Sequence, residues 1–396
     1  MHKSNLRAFA YRLYKRENDD TRDCAAIVRI TCAAFLGTLA LSWRLYIRDL
    51  RIFQVTPAIE IFDKIPPSAD WAFLVTQIVL LSWLFVKPLQ RAPAFGVLTC
   101  MVFGVLQDLM RLQPYYYMYF FTILLTVIFR SSGLSALRIL VGSVYFWGGF
   151  HKFNMSFYRW VFPSFISSFY TFSAKLSVMD FFMALVVFAV PALESAIGIL
   201  LLFFPRLRWL ASLMALAMLA VVLACLGPFG LNRDQVVLPW NVYLFLIELI
   251  LFCKSVRSEK KPLWQLNALG YASVALFAFA PALALVGWWP SYPAFKLVSG
   301  NIKTAAVIFS PQEDLARLPE DLGKFVSSQH VLTLYDWTRQ EINAVVTPDS
   351  YVFHRGSKGL CPYLNDPQNA KLRIYTPPPF YSLKIEYEDF PLCSEN

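Results

Sequence analysis

Long apolar runs separated by short polar segments fill the chain between residues 25 and 289. A helix needs about 20 mostly apolar residues to cross the hydrocarbon of a bilayer, and nine runs approach that length. We therefore predict an all-α polytopic membrane bundle of about nine transmembrane helices. So few residues separate the third and fourth runs that one of them can instead be a hairpin arm that does not cross. The predicted spans are residues 25–43, 71–88, 94–110, 113–129, 134–151, 181–204, 207–227, 238–253 and 266–288.

The pattern changes at Trp288-Trp289-Pro290, where two aromatic residues and a proline are typical of the end of a span at the membrane surface. Short alternating stretches and amphipathic stretches follow. Residues 290–396 are numerous enough to form a small α+β domain. Its predicted strands are residues 303–310, 372–376 and 381–387, and its predicted helices are residues 312–326 and 335–343.

The composition agrees with a membrane protein. Hydrophobic residues make up 57% of the 396 residues, charged residues make up 16%, and the mean hydropathy is +0.49. Soluble domains ordinarily have an apolar share of about 45–50%. A basic head at residues 1–24 precedes the first apolar run, so we expect this run to be an uncleaved anchor.

Lysine and arginine predict the orientation, because cytoplasmic segments of membrane proteins carry an excess of them. If the N-terminus is cytoplasmic, the cytoplasmic segments hold 16 Lys and Arg, and the external loops up to residue 289 hold 9. With nine spans the C-terminal domain is then extracytoplasmic. We expect an integral protein of a bacterial inner membrane with this orientation.

The net charge of +10 comes from the membrane part of the chain. Residues 1–289 carry 26 Lys and Arg against 14 Asp and Glu, whereas residues 290–396 carry 10 against 12. A nucleic-acid partner needs a basic face on a soluble domain, so we exclude nucleic acid and expect the lipid bilayer as the first partner. His330 and His354 lack the spacing of metal ligands, and we predict no metal site.

The cysteines divide by location. Five of the seven lie in or beside predicted spans, where we expect them to behave as small buried hydrophobic residues. Cys361 and Cys393 are in the C-terminal domain. In an oxidising compartment they can pair and close a loop of about 30 residues, which stabilises a fold by about 3–4 kcal/mol. The alternative is two free thiols.

Ionisable residues in the predicted spans are the main candidates for function, because each must find water or a partner in the membrane. His151 and Lys152 directly follow an apolar run, and a lysine at the bilayer centre costs about 2.5–3.5 kcal/mol. We expect this pair at the membrane surface or in a wet cavity. The alternative for Lys152 is simple snorkelling to the interface. For Glu194 and Glu248, the alternative to a functional role is interhelical hydrogen bonding or pairing with arginine.

Further polar and aromatic residues fall near the external ends of the predicted spans and are expected to share one pocket with the basic pair. A nearby imidazolium and burial would favour the neutral amine of Lys152, which could act as a base, and burial would favour protonated Glu194. Asn241 precedes Glu248 by seven residues, so both lie on one helix face. The predicted ligand-binding residues are Asp108, Trp147, Trp240, Asn241 and Glu248, with Asn232 and Asp234 near the same ends.

The sequence Tyr145-Phe146-Trp147-Gly148-Gly149-Phe150-His151-Lys152-Phe153-Asn154 resembles the horizontally transferred transmembrane (HTTM) domain. This domain is the membrane part of vitamin K-dependent γ-glutamyl carboxylase and its bacterial relatives. The resemblance implies that Lys152 is the base and faces the external side. It does not extend to the later membrane histidine or the large external domain of the carboxylase, so we do not expect carboxylation of protein glutamate.

A second resemblance covers Glu194-Ser195-Ala196-Ile197-Gly198 and the segment from Gly227-Pro228-Phe229-Gly230 to Pro239-Trp240-Asn241. These stretches are similar to DoxX-like membrane proteins. Some proteins of that kind are quinone-linked subunits or assembly factors. The second resemblance therefore implies either a quinone or a protein partner.

Two functions remain open. The first is a membrane enzyme or redox subunit acting on a quinone or other lipophilic molecule at the outer leaflet, with Lys152 as base, His151 as its neighbour and Glu194 as a proton-carrying carboxylate. The second is a non-catalytic scaffold or maturation subunit whose C-terminal domain holds an extracytoplasmic or membrane protein partner. A transporter is least favoured, because the sequence has no internal repeat or pair of broken helices.

Overall fold

The computed structural model describes residues 2–164, 179–227, 234–254, 268–296, 298–310, 315–377 and 384–393. Each predicted span coincides with an apolar helix in this part of the chain, because the apolar runs leave the backbone no partner but itself. The helices are α1 (His2–Leu41), α2 (Ser68–Val86), α3 (Arg91–Gln107), α4 (Pro114–Ile123), α5 (Ser131–Phe150), α6 (Met179–Phe203), α7 (Arg208–Leu226), α8 (Val237–Glu248) and α9 (Ala268–Ser273).

Helix lengths support the membrane assignment without fixing the number of spans. Five segments are long and apolar enough to cross a membrane, and four further apolar helices are shorter. The count of nine spans therefore stays a prediction. The long segments are Asp19–Leu41, Ser68–Val86, Ser131–Phe150, Arg208–Leu226 and Ala268–Leu285, and the shorter ones are Arg91–Gln107, Pro114–Ile128, Phe188–Phe203 and Val237–Cys253.

Small residues bring α5 and α6 into close contact. A Cβ atom at Gly149 would lie 2.5 Å from the backbone nitrogen of Ser195, and a Cβ atom at Gly198 would lie 2.4 Å from that of Phe146. Neither position has room for a side chain. Small residues allow close backbone approach in membranes, where van der Waals packing drives helix association. This antiparallel contact places the C-terminal end of α5 beside the Glu194 region of α6.

The C-terminal domain contains a four-stranded antiparallel sheet with the order β2-β1-β3-β4. Val307 in the central strand β1 pairs with Leu332 on one side and with Leu372 on the other. All three side chains are buried and form the centre of this domain. The elements are β1 (Thr304–Phe309), α10 (Glu320–Gly323), β2 (Val331–Thr333), α11 (Leu334–Ile342), α12 (Ser350–Ser357), β3 (Ala370–Thr376) and β4 (Glu386–Pro391).

The predicted α+β pattern of this domain is confirmed in outline and wrong in two elements. Strands at 303–310 and 372–376 and the helix at 335–343 correspond to β1, β3 and α11. The predicted helix at 312–326 is instead two short helical turns separated by Pro319, which cannot continue a helix. The predicted strand at 381–387 begins only at Glu386, and residues 311–314 and 381–383 lie outside the described part. β2 and α12 were not predicted.

Cys361 and Cys393 form a disulfide with their Cα atoms 5.8 Å apart, which confirms the predicted pair. The bond joins the end of β4 to the segment after α12 and so fixes the last strand of the sheet. The other five cysteines are free: Cys24, Cys32 and Cys225 are buried, and Cys100 and Cys253 are partly buried.

The C-terminal domain packs on one end of the helical bundle, which we call the tail-side end. The Glu341 side chain on α11 accepts hydrogen bonds from the backbone nitrogens of Ile52 and Phe53, in the connection between α1 and α2. Phe53 is fully buried, and its ring lies 5.2 Å from that of Trp337. The part of this connection around Ile52 and Phe53 is therefore held between the bundle and the C-terminal domain.

A buried ionic cluster fixes the same connection to the turn between α3 and α4. Asp108 forms an ion pair with Arg51 at 2.6 Å, and its Oδ1 accepts hydrogen bonds from the hydroxyl and the backbone nitrogen of Thr56. Asp108 and Arg51 have side-chain exposures of 0% and 1%. Burial alone raises the pKa of the Asp108 carboxyl, but Arg51 and Arg111 outweigh burial and hold this pKa below its usual range.

The cluster extends to the start of α2. Arg111 donates to the Gln107 carbonyl oxygen at 2.7 Å, and the Gln107 amide donates to Asp70 at 2.8 Å. Asp70 also binds Arg48 through both carboxylate oxygens. Bidentate pairs of this kind fix geometry as well as charge. We call the set Arg48, Arg51, Asp70, Gln107, Asp108 and Arg111 the tail-side clamp.

We predict that Asp108→Asn destabilises the protein by about 3–5 kcal/mol at neutral pH, because it leaves buried Arg51 without its counter-ion. A carboxyl with a lowered folded pKa contributes stability above its unfolded pKa and loses it as pH falls through the folded value. The difference from wild type should therefore shrink below a pH of about 4. Thermal unfolding in mild detergent across pH measures both effects.

Asp63→Asn is the matched control, because Asp63 pairs with Arg355 at a half-exposed position. It should cost at most about 1 kcal/mol. Equal losses in the two variants would contradict the structural role of the clamp.

Candidate functional site

The helical run around His151 and Lys152 is broken. α5 ends at Phe150, and helical structure resumes at residue 155. Asn154 begins the new segment, because its side-chain oxygen accepts the backbone N–H of Phe157 at 2.8 Å, as an N-cap residue does. Its amide donates to the carbonyl oxygens of His151 and Ser299. The break is thereby joined to the start of the C-terminal domain and lies at the tail-side end.

Lys152 and Glu194 form an ion pair across α5 and α6. The Lys152 Nζ and Glu194 Oε2 atoms are 2.5 Å apart, and the side chains are 16% and 11% exposed. Gly148 provides the space for the carboxylate, because a Cβ atom there would lie 2.8 Å from Glu194 Oε1. The glycine contact between the two helices therefore also sets the position of the charges. Lys152 and Glu194 were each predicted as site residues from the sequence, but their pairing was not predicted.

His151 lies beside this pair but is turned into the protein. Its side chain is fully buried, and its ring stacks on Trp147 with centroids 5.3 Å apart. Among the described residues neither ring nitrogen has a partner at bonding distance, although the backbone of Ala294 lies close to the ring. Burial, together with the nearby Lys296 ammonium, lowers the pKa of His151 to about 3. His151 is therefore a neutral imidazole at physiological pH, and the expected imidazolium beside Lys152 is wrong.

The other residues predicted for this pocket have separate partners. Asp108 belongs to the tail-side clamp. The Trp147 indole donates to the carbonyl oxygen of Ala278 at 3.0 Å, and the Trp240 indole faces the Met118 sulfur at 3.3 Å. The remaining predicted residues are placed as follows: the Asn241 amide donates to Val237 in its own helix, Asp234 accepts from the Tyr335 hydroxyl, and Asn232 lies outside the described residues. Their roles in ligand binding stay predictions.

Glu248 forms a second buried polar contact, with a residue the sequence analysis did not single out. The Tyr145 hydroxyl on α5 donates to Glu248 Oε2 on α8 at 2.8 Å, and both side chains are buried. Tyr145 precedes Gly148 and Gly149 by three and four residues, so it lies on the glycine face of α5 that packs against α6. That spacing was a signal in the sequence that could have identified Tyr145.

The clamp residues Arg48, Arg51 and Arg111 were also missed as structural partners. One sequence feature could have indicated such a cluster. Asp108, Arg111 and Gln113 lie in a turn of an otherwise apolar region, where each polar group needs a partner. The arginines that complete the cluster come from the connection before α2, and no local pattern predicts such a pairing.

Two further features of the structure concern possible sites away from this ion pair. Within the described ranges, no group of three or more His, Cys, Asp or Glu side chains is arranged to hold a metal ion. A cavity of about 350 Å³ lies in the C-terminal domain beside β1 and β2, and none of its lining residues belongs to the predicted pocket. Of the predicted catalytic residues, Lys152 and Glu194 are the two whose side chains the structure brings into contact.

Comparison with protein-family models, with curated proteins and with solved structures finds no match for this chain.

We predict that Lys152→Met and Glu194→Gln each lower the free energy of unfolding by about 1–3 kcal/mol, because each leaves one charge without its partner. The loss is smaller than for a fully buried pair because both groups reach water. The double variant removes both charges, so it should recover to within about 1 kcal/mol of wild type. Thermal unfolding of the four proteins in one detergent measures the coupling. Additive losses in the double variant would contradict a direct pair.

Proposed function

We propose that this protein is a membrane enzyme that acts on a lipophilic, quinone-like molecule at the outer leaflet, with Lys152 as the base. The observation that carries the proposal is the Lys152–Glu194 ion pair at the break after α5. An ion pair near the membrane surface is accessible to a molecule that enters from the lipid. The HTTM-like sequence around Lys152 supports the same role for this lysine.

The ion pair explains how a lysine can become a base. In contact with water, the ammonium and the carboxylate stabilise each other. A lipophilic molecule that covers the pair displaces this water, and a lower dielectric disfavours two charges relative to two neutral groups. Transfer of the Lys152 proton to Glu194 then yields an amine and a carboxylic acid. The amine can remove a proton from a hydroxyl group of the substrate.

Lys152 and Glu194 are the groups of this region that a substrate can reach in this proposal, because their side chains are partly exposed. The stacked rings of Trp147 and His151 are buried behind them, so they support the pair by packing and do not contact the substrate.

We expect a quinone or isoprenoid to co-purify with the wild-type protein in mild detergent and to be depleted in Lys152→Met. Mass spectrometry of extracted lipophilic molecules gives the ratio of ligand to protein. The matched control is Lys303→Met, because Lys303 is an exposed lysine of the C-terminal domain. The Lys152→Met, Glu194→Gln double variant lacks both charged groups but should be nearly as stable as wild type. Depletion of the ligand in this variant would therefore reflect loss of the site and not loss of the fold. If phospholipids are the only lipophilic molecules found and are the same in all samples, the proposal is contradicted.

A second candidate, a scaffold that holds an external protein partner, rests on the edge strand β4. Glu386, Tyr387, Glu388 and Asp389 are all exposed there, and one side of the strand is unpaired in the described sheet. An exposed edge can accept an extended segment of another chain, and the acidic side chains would favour a basic segment.

We expect Glu386→Lys with Glu388→Lys to abolish capture of such a partner, because the change reverses the charge of the edge. Chemical cross-linking in native membranes followed by mass spectrometry measures the capture. Glu320→Lys with Asp321→Lys makes the same change in charge on exposed helix α10 and is the control. Cross-links unaffected by the edge variant would exclude this edge as the docking site.

A further inference from the structure

Glu248 is a buried carboxyl group that contacts no cation among the described residues. It is 0% exposed, its Oε2 receives the Tyr145 hydroxyl, and its Oε1 has no hydrogen-bond partner in the described part of the chain. Arg138 on α5 donates to the carbonyl oxygen of Leu251 at 3.1 Å, one turn after Glu248, and the free thiol of Cys253 follows in the next turn. Burial without a contacting cation favours the neutral carboxylic acid, and the hydrogen bond from the phenol offsets this only in part, because a buried unpaired carboxylate is costly.

Tyr145 lies between this carboxyl group and the Lys152–Glu194 pair. It is one helical turn before Gly148, and the Glu194 carboxylate occupies the space over Gly148. Tyr145 and the Glu194 carboxylate are thus placed on either side of the same glycine contact between α5 and α6. Within the described residues the hydroxyl is hydrogen-bonded to Glu248, so contact with Glu194 needs a rotation of the phenolic O–H or a bridging water.

We propose that Glu248 is a proton-binding site inside the helical bundle, which exchanges its proton with the Lys152–Glu194 pair through the hydroxyl group of Tyr145. The role in turnover rests on the proposed function: a substrate that covers the pair excludes water, and Glu248 then supplies or takes up the proton. Intramembrane carboxyl groups connected by hydrogen-bonding side chains are the usual components of proton relays.

Once the phenolic O–H has rotated toward Glu194, the exchange is one concerted step. Protonated Glu248 gives its proton to the Tyr145 oxygen, while the original Tyr145 hydroxyl proton moves to the Glu194 carboxylate. The products are a Glu248 carboxylate, an unchanged tyrosine and protonated Glu194, so atoms and charge balance. The reverse step returns the proton when Glu194 is protonated. No redox partner or metal takes part.

Infrared difference spectroscopy of the full-length protein in lipid vesicles tests this route without any substrate. At neutral pH the wild type should show the band of a protonated carboxyl group, and Glu248→Gln should remove it. After transfer to heavy water, hydrogen–deuterium exchange of this group should be about a hundredfold slower in Tyr145→Phe, the loss expected when a positioned proton carrier is removed. Glu194→Gln should also slow the exchange and tests the route if Tyr145→Phe does not fold.

Tyr243→Phe is the matched control. Tyr243 is a fully buried tyrosine on α8, and its hydroxyl contacts Thr122 at 2.5 Å instead of a carboxyl group. Its removal should leave the exchange rate of the Glu248 band unchanged. The proposal is overturned if Glu248→Gln removes no band, or if Tyr145→Phe exchanges as fast as wild type. Failure to find a lipophilic ligand would instead count against the proposed function and leave the exchange result intact.

Discussion

The close contact between α5 and α6 determines where the charged groups of this protein meet. Gly149 and Gly198 lie where any side chain would collide with the opposite backbone, so the two helices approach as closely as their main chains allow. At that distance Glu194 reaches the end of α5, and Gly148 leaves room for its carboxylate. A methyl group at one of these glycines would separate the helices and remove the partner of Lys152. The site is thus a consequence of packing as much as of charge.

The tail-side clamp also consists of paired, buried charges, but these charges connect segments of the fold. Asp108 and Asp70 are bonded to arginines, and the bidentate contact of Arg48 leaves little freedom. These pairs fix the connection between α1 and α2, on which the C-terminal domain rests through Glu341 and Phe53. That domain is therefore part of the frame around the end of α5. It contacts the break directly through the hydrogen bond from Asn154 to Ser299.

Hydropathy predicted the helices well, because every apolar run must satisfy its backbone internally in a membrane. The disulfide and the strands β1 and β3 were also predictable from residue type and alternation. Pairing between helices was not, since it depends on how far each helix is rotated and on small residues whose role appears only in the contact. Lys152 and Glu194 are 42 positions apart, and nothing local in either segment indicates the other. The three-residue strand β2 is too short for any pattern.

The partners of the buried carboxyl groups separate structural from functional residues. Asp70 and Asp108 are bonded to arginine, whose charge is permanent, so these groups gain nothing by changing protonation and serve as fixed connections. Glu194 is bonded to a lysine, which unlike arginine can pass its proton to a carboxylate, and the charged and neutral forms of this pair have the same net charge. Glu248 is bonded to a phenol and can hold a proton alone. The change from arginine to lysine to tyrosine as partner is therefore a change from a permanent charge to groups whose chemistry permits proton exchange, and it runs from the clamp to the end of α5 and then to Tyr145 within that helix.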